Sequence, residues 1–414
     1  MTPFPAVPVS IDPLPPWQRP DFLPAAPLDS YGYLSDHGRR ECTLEDLRRE
    51  VKRGPEEDVH FVWQPGLGRC VPTGEAPAVF DDLREAQLDR VRVVLQSKAT
   101  WALVTGVGVY FFGERLLGMP FSWLAMLWGA FFALPIIDCL VRQREWSRMT
   151  VADAPELGEA SRFMHWLSWC TPTKTTHVII GVLVVIWLLS EAAGVNRAIV
   201  AFAMDEQGVK AGAWWKVLTC FFLHGGIVHL VFNAMALSRL GQWVEGLTEA
   251  AWVPLILLVA TLGGSLAGYL LPREYLESIA QLDTLVGSLV RYILPPDGPS
   301  VGASGGVLGL MGFLLVFCRA SERAIPRAFQ RQLWQWAAYV LLLGLIGWKV
   351  VDNAAHLGGL LAGAGLGVVA NATLPRVPPP VRSVWVPLFG WTSAAILAGT
   401  AAWMGWVFWK AISL

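Results

Sequence analysis

Apolar residues gather in long runs over most of this chain, while polar residues concentrate in the first hundred positions and in short connectors. Runs of ~17–25 apolar residues have the length of membrane-crossing helices. The pattern predicts such segments near 99–117, 120–141, 176–194, 227–246, 251–271, 301–318, 333–350, 354–372 and 384–409. Glu114 and Arg115 interrupt the first of them and shorten it toward the interface. The fold class that follows is an all-α polytopic membrane protein preceded by a small α+β module.

Residues 1–40 are rich in Pro and read as an extended, disordered arm, because Pro removes backbone donors and breaks continuous helix or sheet. A small cytosolic module follows over 41–98. Within it, Thr43-Leu44-Glu45-Asp46 starts a short helix, with Thr43 as N-cap and Asp46 closing a capping box. His60-Phe61-Val62-Trp63 reads as a strand with a Pro65-Gly66 turn after it, and 80–97 reads as an amphipathic helix leading to the membrane. A transmembrane hairpin over 99–141 and an amphipathic linker over 142–175 complete the upstream part.

Composition strengthens this picture. The chain is 54% hydrophobic and 16% charged over 414 residues, against roughly a quarter charged in soluble domains. Its 21 Trp residues sit mostly near the ends of apolar runs, as in an interfacial aromatic belt. A net charge of −1 argues against nucleic acid as a partner. The six cysteines (42, 70, 139, 170, 220 and 318) have no paired spacing, so no disulfide framework is expected. No cleavable signal peptide is visible, and the first apolar segment is expected to direct insertion.

Positive charge orients the segments. Arg319, Arg323, Arg327 and Arg331 fall in one connector, which the positive-inside rule places in the cytoplasm. If every segment crosses, Arg142, Arg144, Arg148, Arg376 and Arg382 share that side, the N-terminus is cytoplasmic and the C-terminus is outside. Ser304 and His356 then lie about one turn below the outer ends of their helices, at similar depth, so they can meet.

A serine and a histidine inside apolar helices are costly to keep there and mark a functional site. Serine is a poor nucleophile until a base takes its proton, and histidine, with a reference pKa near ~6.5, suits that task. Ser304 stands in Gly302-Ala303-Ser304-Gly305, where small residues allow close approach and leave its amide available at a helix N-terminus. Read alone, this is a packing motif before it is a nucleophile. His356 lies on one helical face with Gly359 and Gly363, a face suited to tight helix contact, though it is also a plausible helix-capping residue. A third cluster, His224-x4-His229-x3-Asn233, puts His229 and Asn233 on a shared face, as oxyanion donors or as capping residues. Zinc at His224 and His229 lacks both a third ligand and the H-E-x-x-H pattern, so no metal or other cofactor is expected.

Taken together, Trp215-Lys216-x-x-Thr219, His224-x4-His229-x3-Asn233, Gly241-x3-Glu245, Gly302-x-Ser304-Gly305 and Ala355-His356-x2-Gly359-x3-Gly363 resemble the rhomboid intramembrane serine proteases. The resemblance covers about 175–372. It implies a six-helix core over 176–372, to which 384–414 adds a further C-terminal helix. It also implies a Ser304–His356 dyad, with His229, Asn233 and the Ser304 amide as oxyanion donors. His224, Gly302, Gly305, Trp215, Glu245, Gly359 and Gly363 are the supporting residues. A first outer loop over about 195–223 would lie partly in the outer leaflet with Trp215 as an anchor.

Two positions depart from the family pattern. Lys216 stands where an arginine is usual, and Leu308 stands where an aromatic often stacks on the histidine. The expected partners are single-pass transmembrane substrates and the lipid bilayer, with an unknown partner for the N-terminal module. The expected location is the bacterial inner membrane. A catalytically silent relative that binds transmembrane clients is the alternative. A transporter is disfavoured, because the spans hold almost no mid-membrane carboxylate.

Overall fold

Thr43 opens the first helix through the cap its sequence predicts. Its hydroxyl accepts the Asp46 amide at 3.1 Å and donates to the Asp46 carboxylate at 2.7 Å. This is one feature of a computed structural model that describes residues 14–35, 37–53, 61–117, 121–169, 173–270, 273–294, 298–319, 324–374 and 385–413. The chain forms two compact units, one of residues 1–170 with 325–332, the other of residues 171–324 with 333–414.

In the first unit, β1 (Tyr31–Ser35) pairs antiparallel with β2 (Gly38–Cys42) on one side and β3 (Phe61–Trp63) on the other. Strand β3 pairs in turn with β4 (Val71–Pro72), giving a four-stranded sheet of order β2-β1-β3-β4. Helix α1 (Leu44–Arg53) buries Leu47 and Val51, one turn apart, in a core with Tyr33, Val62, Val71, Val79 and Leu83. His60, which the sequence reading adds to β3, lies outside the described residues.

The N-terminal segment differs from an extended arm. Residues 1–13 lie outside the described residues, but from Leu14 onward the chain is folded. Pro16 and Pro20 open short 3-10 turns, where a missing N–H costs nothing, so proline shapes this segment rather than unfolding it. Within the first of these turns Trp17 is fully buried, its ring 4.8 Å from both Phe163 and Trp166.

Helix α2 (Phe80–Leu117) fuses the amphipathic stretch and the first apolar run, because no Gly or Pro occurs before Gly106. It is ~57 Å long at 1.5 Å per residue. Helix α3 (Phe121–Trp128), a π-helical turn (Gly129–Ala133) and α4 (Leu134–Arg148) run back along it. The wide turn precedes Pro135, which cannot donate to the preceding turn. Helix α5 (Ala154–Trp169) then packs on the N-terminal module.

The second unit begins with α6 (Lys174–Ala193), followed by three short helices, α7 (Val195–Phe202), α8 (Glu206–Lys210) and α9 (Lys216–Thr219). Helix α10 (Ile227–Leu247) leaves the α9 segment at a 93° bend. Helix α11 (Trp252–Leu270) is followed by α12 (Arg273–Ala280) and α13 (Leu285–Ile293), two elements that the apolar-run pattern does not separate from a plain connector. Helix α14 (Ser304–Phe317) is central and buries Val307, Leu310, Met311, Phe313, Leu314 and Phe317. Helices α15 (Arg327–Ile346), α16 (Asn353–Thr373) and α17 (Trp385–Ser413) complete it. The last packs against α6 and α11, the C-terminal addition that the sequence predicts.

Among the described residues, five helices are long and apolar enough to cross a membrane, or six if the bent α9–α10 pair counts as one span. The sequence pattern predicts nine segments. The difference has identifiable causes. Helix α14 is only 14 residues, and the opening turns of α15 carry Arg327, Gln330, Arg331 and Gln332.

Candidate active site

Small residues bring α14 and α16 together. A Cβ at Gly359 or Gly363 would run into the backbone carbonyls of Gly305 and Gly309, so the two helices touch main chain to main chain. On the adjoining side, Gly264 of α11 packs on the Ala355 carbonyl, where an added Cβ would sit 2.6 Å away. This three-helix contact fixes the first turns of α14 and α16 against each other.

Those first turns carry the candidate nucleophile and base. His356 Nε2 lies 2.8 Å from Ser304 Oγ. Asp352 caps α16 by accepting the Ala355 amide at 2.9 Å, and the His356 amide donates to the Asp352 carbonyl at 3.0 Å. Beside the cap, buried Asn353 donates to the Gly344 carbonyl of α15 at 3.2 Å. The imidazole is thus held by its helix start and by the serine, with no aromatic at Leu308 to stack on it. As the first residue of α14, Ser304 has an amide that no intrahelical carbonyl can accept.

The third cluster stands against the same point. Gly302 has φ 121° and donates its amide to the Cys220 carbonyl at 2.9 Å. A Cβ there would lie 2.7–2.8 Å from the His229 ring and 3.6 Å from Asn233 Nδ2. Asn233 is buried and donates to the His229 carbonyl at 3.1 Å. His224 is buried behind them, its ring 5.2 Å from that of His229. Serine, imidazole base, free helix-end amide and polar donors therefore converge on one place, which is the equipment of nucleophilic acyl transfer. Among the described residues no group of three or more His, Cys, Asp or Glu is placed to hold a metal.

Other positions singled out by sequence lie elsewhere. Glu245 is 16 residues beyond His229 on α10, ~24 Å along the axis. Its carboxylate accepts the Thr176 amide at 2.6 Å and the Thr176 hydroxyl at 2.5 Å, tying the start of α6 to the end of α10. Trp215 is half-exposed, donates to the Ala201 carbonyl at 3.1 Å and lies 6.1 Å from the Trp403 ring. Lys216 pairs with Asp205, and Thr219 donates to the Phe202 carbonyl at 2.6 Å, so the 195–223 segment is braced by its own polar groups.

Asp352, Asn353 and Asp205 escape the sequence reading. The first had a findable signal, an Asp three residues before a helix-start amide at the head of an apolar run. The others act through tertiary contacts that no spacing announces.

Comparison with known proteins places this site in context. Residues 211–372 match the family model of the Rhomboid domain. The chain is 29% identical over 195 residues to "Rhomboid protease GluP" of Bacillus subtilis (strain 168), covering 45% of this chain and 33% of that protein. It is 30% identical over 250 residues to "RHOMBOID-like protein 2" of Arabidopsis thaliana, covering 51% of this chain and 69% of that one. With "RHOMBOID-like protein 5" of the same plant it shares 29% over 167 residues, 40% of this chain and 47% of the relative. The chain spans between a third and about half of the first curated relatives it matches.

Proposed function

This chain belongs to the rhomboid family, and on that premise we propose that it is a serine endopeptidase cutting transmembrane proteins near the outer membrane face. It is an integral, multi-pass membrane protein. The observation that carries the enzymatic reading is the 2.8 Å contact between His356 Nε2 and Ser304 Oγ, at helix ends locked by glycine packing.

In this reading neutral His356 takes the Ser304 proton as Oγ attacks the scissile carbonyl carbon. The carbonyl π pair moves to oxygen, and the oxyanion is met by the Ser304 amide, the Asn233 side chain and His229. Asn233 spends one N–H on the His229 carbonyl, which leaves a second to turn toward the oxyanion. Collapse of the intermediate breaks the C–N bond, and imidazolium gives its proton to the leaving amine. Water, deprotonated by His356, then adds to the acyl carbon, the C–Oγ bond breaks, and the imidazolium returns the proton to Ser304 Oγ as the acid product leaves. A substrate helix shields its peptide bonds, so the segment to be cut must open before attack. Single-pass membrane proteins are the proposed substrates and the bacterial inner membrane the proposed site of action, with the N-terminal module in the cytoplasm.

The test uses wild type and Ser304→Ala with a tagged single-pass reporter in the same membranes. Wild type should release a reporter fragment and react with a serine-directed fluorophosphonate, and the variant should do neither. A wild type that cuts no reporter and takes up no probe returns the alternative, a silent relative that binds transmembrane clients.

A further inference from the structure

We infer that α12 and α13 form a shelf lying in the membrane interface on the side of the candidate site, with lipid as its partner. The inference rests on the chain being a membrane protein and is independent of whether it cuts peptide bonds.

Helix α13 is inside out for a helix in water. Leu285, Val286, Leu289 and Val290 occupy one arc of its surface. Leu285 is 86% exposed, Val286 60% and Leu289 58%. The inward face is made of the smallest residue. A Cβ at Gly287 would strike the carbonyls of Leu282 and Ile279, so the turn after α12 sits directly on that glycine. Thr284 caps the helix by accepting the Gly287 amide at 3.0 Å. Leucine outward and glycine inward is the arrangement of an interfacial helix.

Nine residues reach only ~14 Å at 1.5 Å per residue, far short of the ~30 Å hydrocarbon core, so α13 lies in the interface rather than crossing. Its surroundings set the depth. Helix α12 departs just beyond the end of α11, where Tyr269 meets the half-exposed Trp214 at 5.9 Å, an aromatic pair typical of headgroup level. At the other end Tyr292 donates to the Leu341 carbonyl of α15 at 3.4 Å. Leu341 and Leu345, one turn apart, are 60% and 55% exposed. The apolar face of α13 therefore lies beside an outward apolar stripe on the C-terminal half of α15.

Charge does not supply the attraction. Residues 273–293 hold two arginines and three carboxylates (Arg273, Arg291, Glu274, Glu277 and Asp283), net −1. Binding must come from apolar burial, and anionic lipid should add nothing.

The shelf also adjoins the candidate site. A Cβ at Gly344 would lie 3.1 Å from the Tyr292 hydroxyl and 2.5 Å from Asn353 Oδ1, and Asn353 is three residues before His356.

The experiment reconstitutes the full chain in phosphatidylcholine bilayers. An environment-sensitive fluorophore is placed at Leu289→Cys or, on the polar arc, at Ser288→Cys, with label on native cysteines subtracted using unsubstituted protein. Lipids brominated in the acyl chain should quench the 289 label at least about twofold more than the 288 label. Adding phosphatidylglycerol should leave that ratio unchanged. Quenching at 289 by aqueous iodide but not by brominated lipid overturns the proposal. So does lipid quenching that disappears as the protein-to-lipid ratio rises, which would assign the face to a second copy.

Hydroxyl-radical footprinting of the unsubstituted protein in bilayers guards against disturbance by the label. Leu285 and Leu289 should be oxidised at least about threefold less than Leu28, which is 61% exposed in the N-terminal module. Equal oxidation overturns the shelf.

Discussion

Gly302 sits where two demands meet, and at the scale of single residues it is the most constrained position near the candidate nucleophile. Its φ of 121° is left-handed backbone that residues with a Cβ rarely adopt, and the added carbon would press on the His229 ring at 2.7 Å. Gly302→Ala should lose about 1–3 kcal/mol from backbone strain alone. It should also push the His229 ring aside and lower reporter cleavage by more than about tenfold. Thermal unfolding and cleavage measured side by side check both. Gly305→Ala is the comparison, since its Cβ would meet the Ala355 carbonyl at a more tolerable 3.3 Å. Asn233→Ala probes the oxyanion instead. If the side chain acts only on developing charge, kcat falls about a hundredfold while KM stays within about threefold. A rise in KM with kcat intact would remove Asn233 from that role.

At the scale of elements, the 195–223 segment joins an ion pair to a small buried core of Met204, Val209 and Cys220. Lys216 reaches Asp205, whose carboxylate also caps α8 by accepting the Gly208 amide. Burial alone would raise the Asp205 carboxyl. The bonds from Lys216 and Gly208 outweigh it and hold the group below its ordinary value of 3.8. A carboxyl lower in the folded state binds fewer protons there than in the unfolded chain. Its stabilisation is thus complete above the ordinary carboxylate range and is lost as pH falls through the folded value. Acidification, and not alkalinisation between pH 6 and 9, should lower amide protection in 206–216 relative to the base-catalysed intrinsic rate, and Asp205→Asn should show the low protection already at neutral pH. Unchanged exchange in that variant would show that the pair does not brace the loop.

Elements of this kind also mark where sequence reading stops. Five or six of the nine expected spans, and the closeness of Ser304 to His356 and of Gly302 to His229 and Asn233, were legible because apolar run length and helical spacing are local signals. Asp205 was not, since its partner is set by how three short helices fold back. Helix α13 was hidden for a different reason, because nine residues with an outward apolar face look like a connector until exposure is known. In residues 14–35 proline forms turns and does not break structure, because Trp17 supplies a buried anchor that the proline turns position.

At the scale of the whole molecule, orientation decides from which side a substrate bond can be reached. Helices α14 and α16 both begin at the candidate site, and α15 runs between them in the opposite sense. Arg319 and Arg323 lie between α14 and α15, and Arg327 and Arg331 in the first turns of α15, while the segment 298–303 before Ser304 carries no charge at all. Cationic side chains resist translocation, and this charge pattern supports the proposed orientation, with the arginine-bearing end in the cytoplasm and Ser304 toward the opposite face. A reporter inserted after Arg327 should therefore read cytoplasmic, and one inserted at Gly298 should read external. The same orientation sets where cleavage can fall. In the reporter of the protease test, the new terminus should lie at the outer end of the span, and a tag beyond that end should be released from membranes while the cytoplasmic tag stays bound. An external reading at Arg327 would put the site at the cytoplasmic face and reverse which tag is released. Topology and fragment identity thus have to agree, and a mismatch between them would break the link from charge pattern to site.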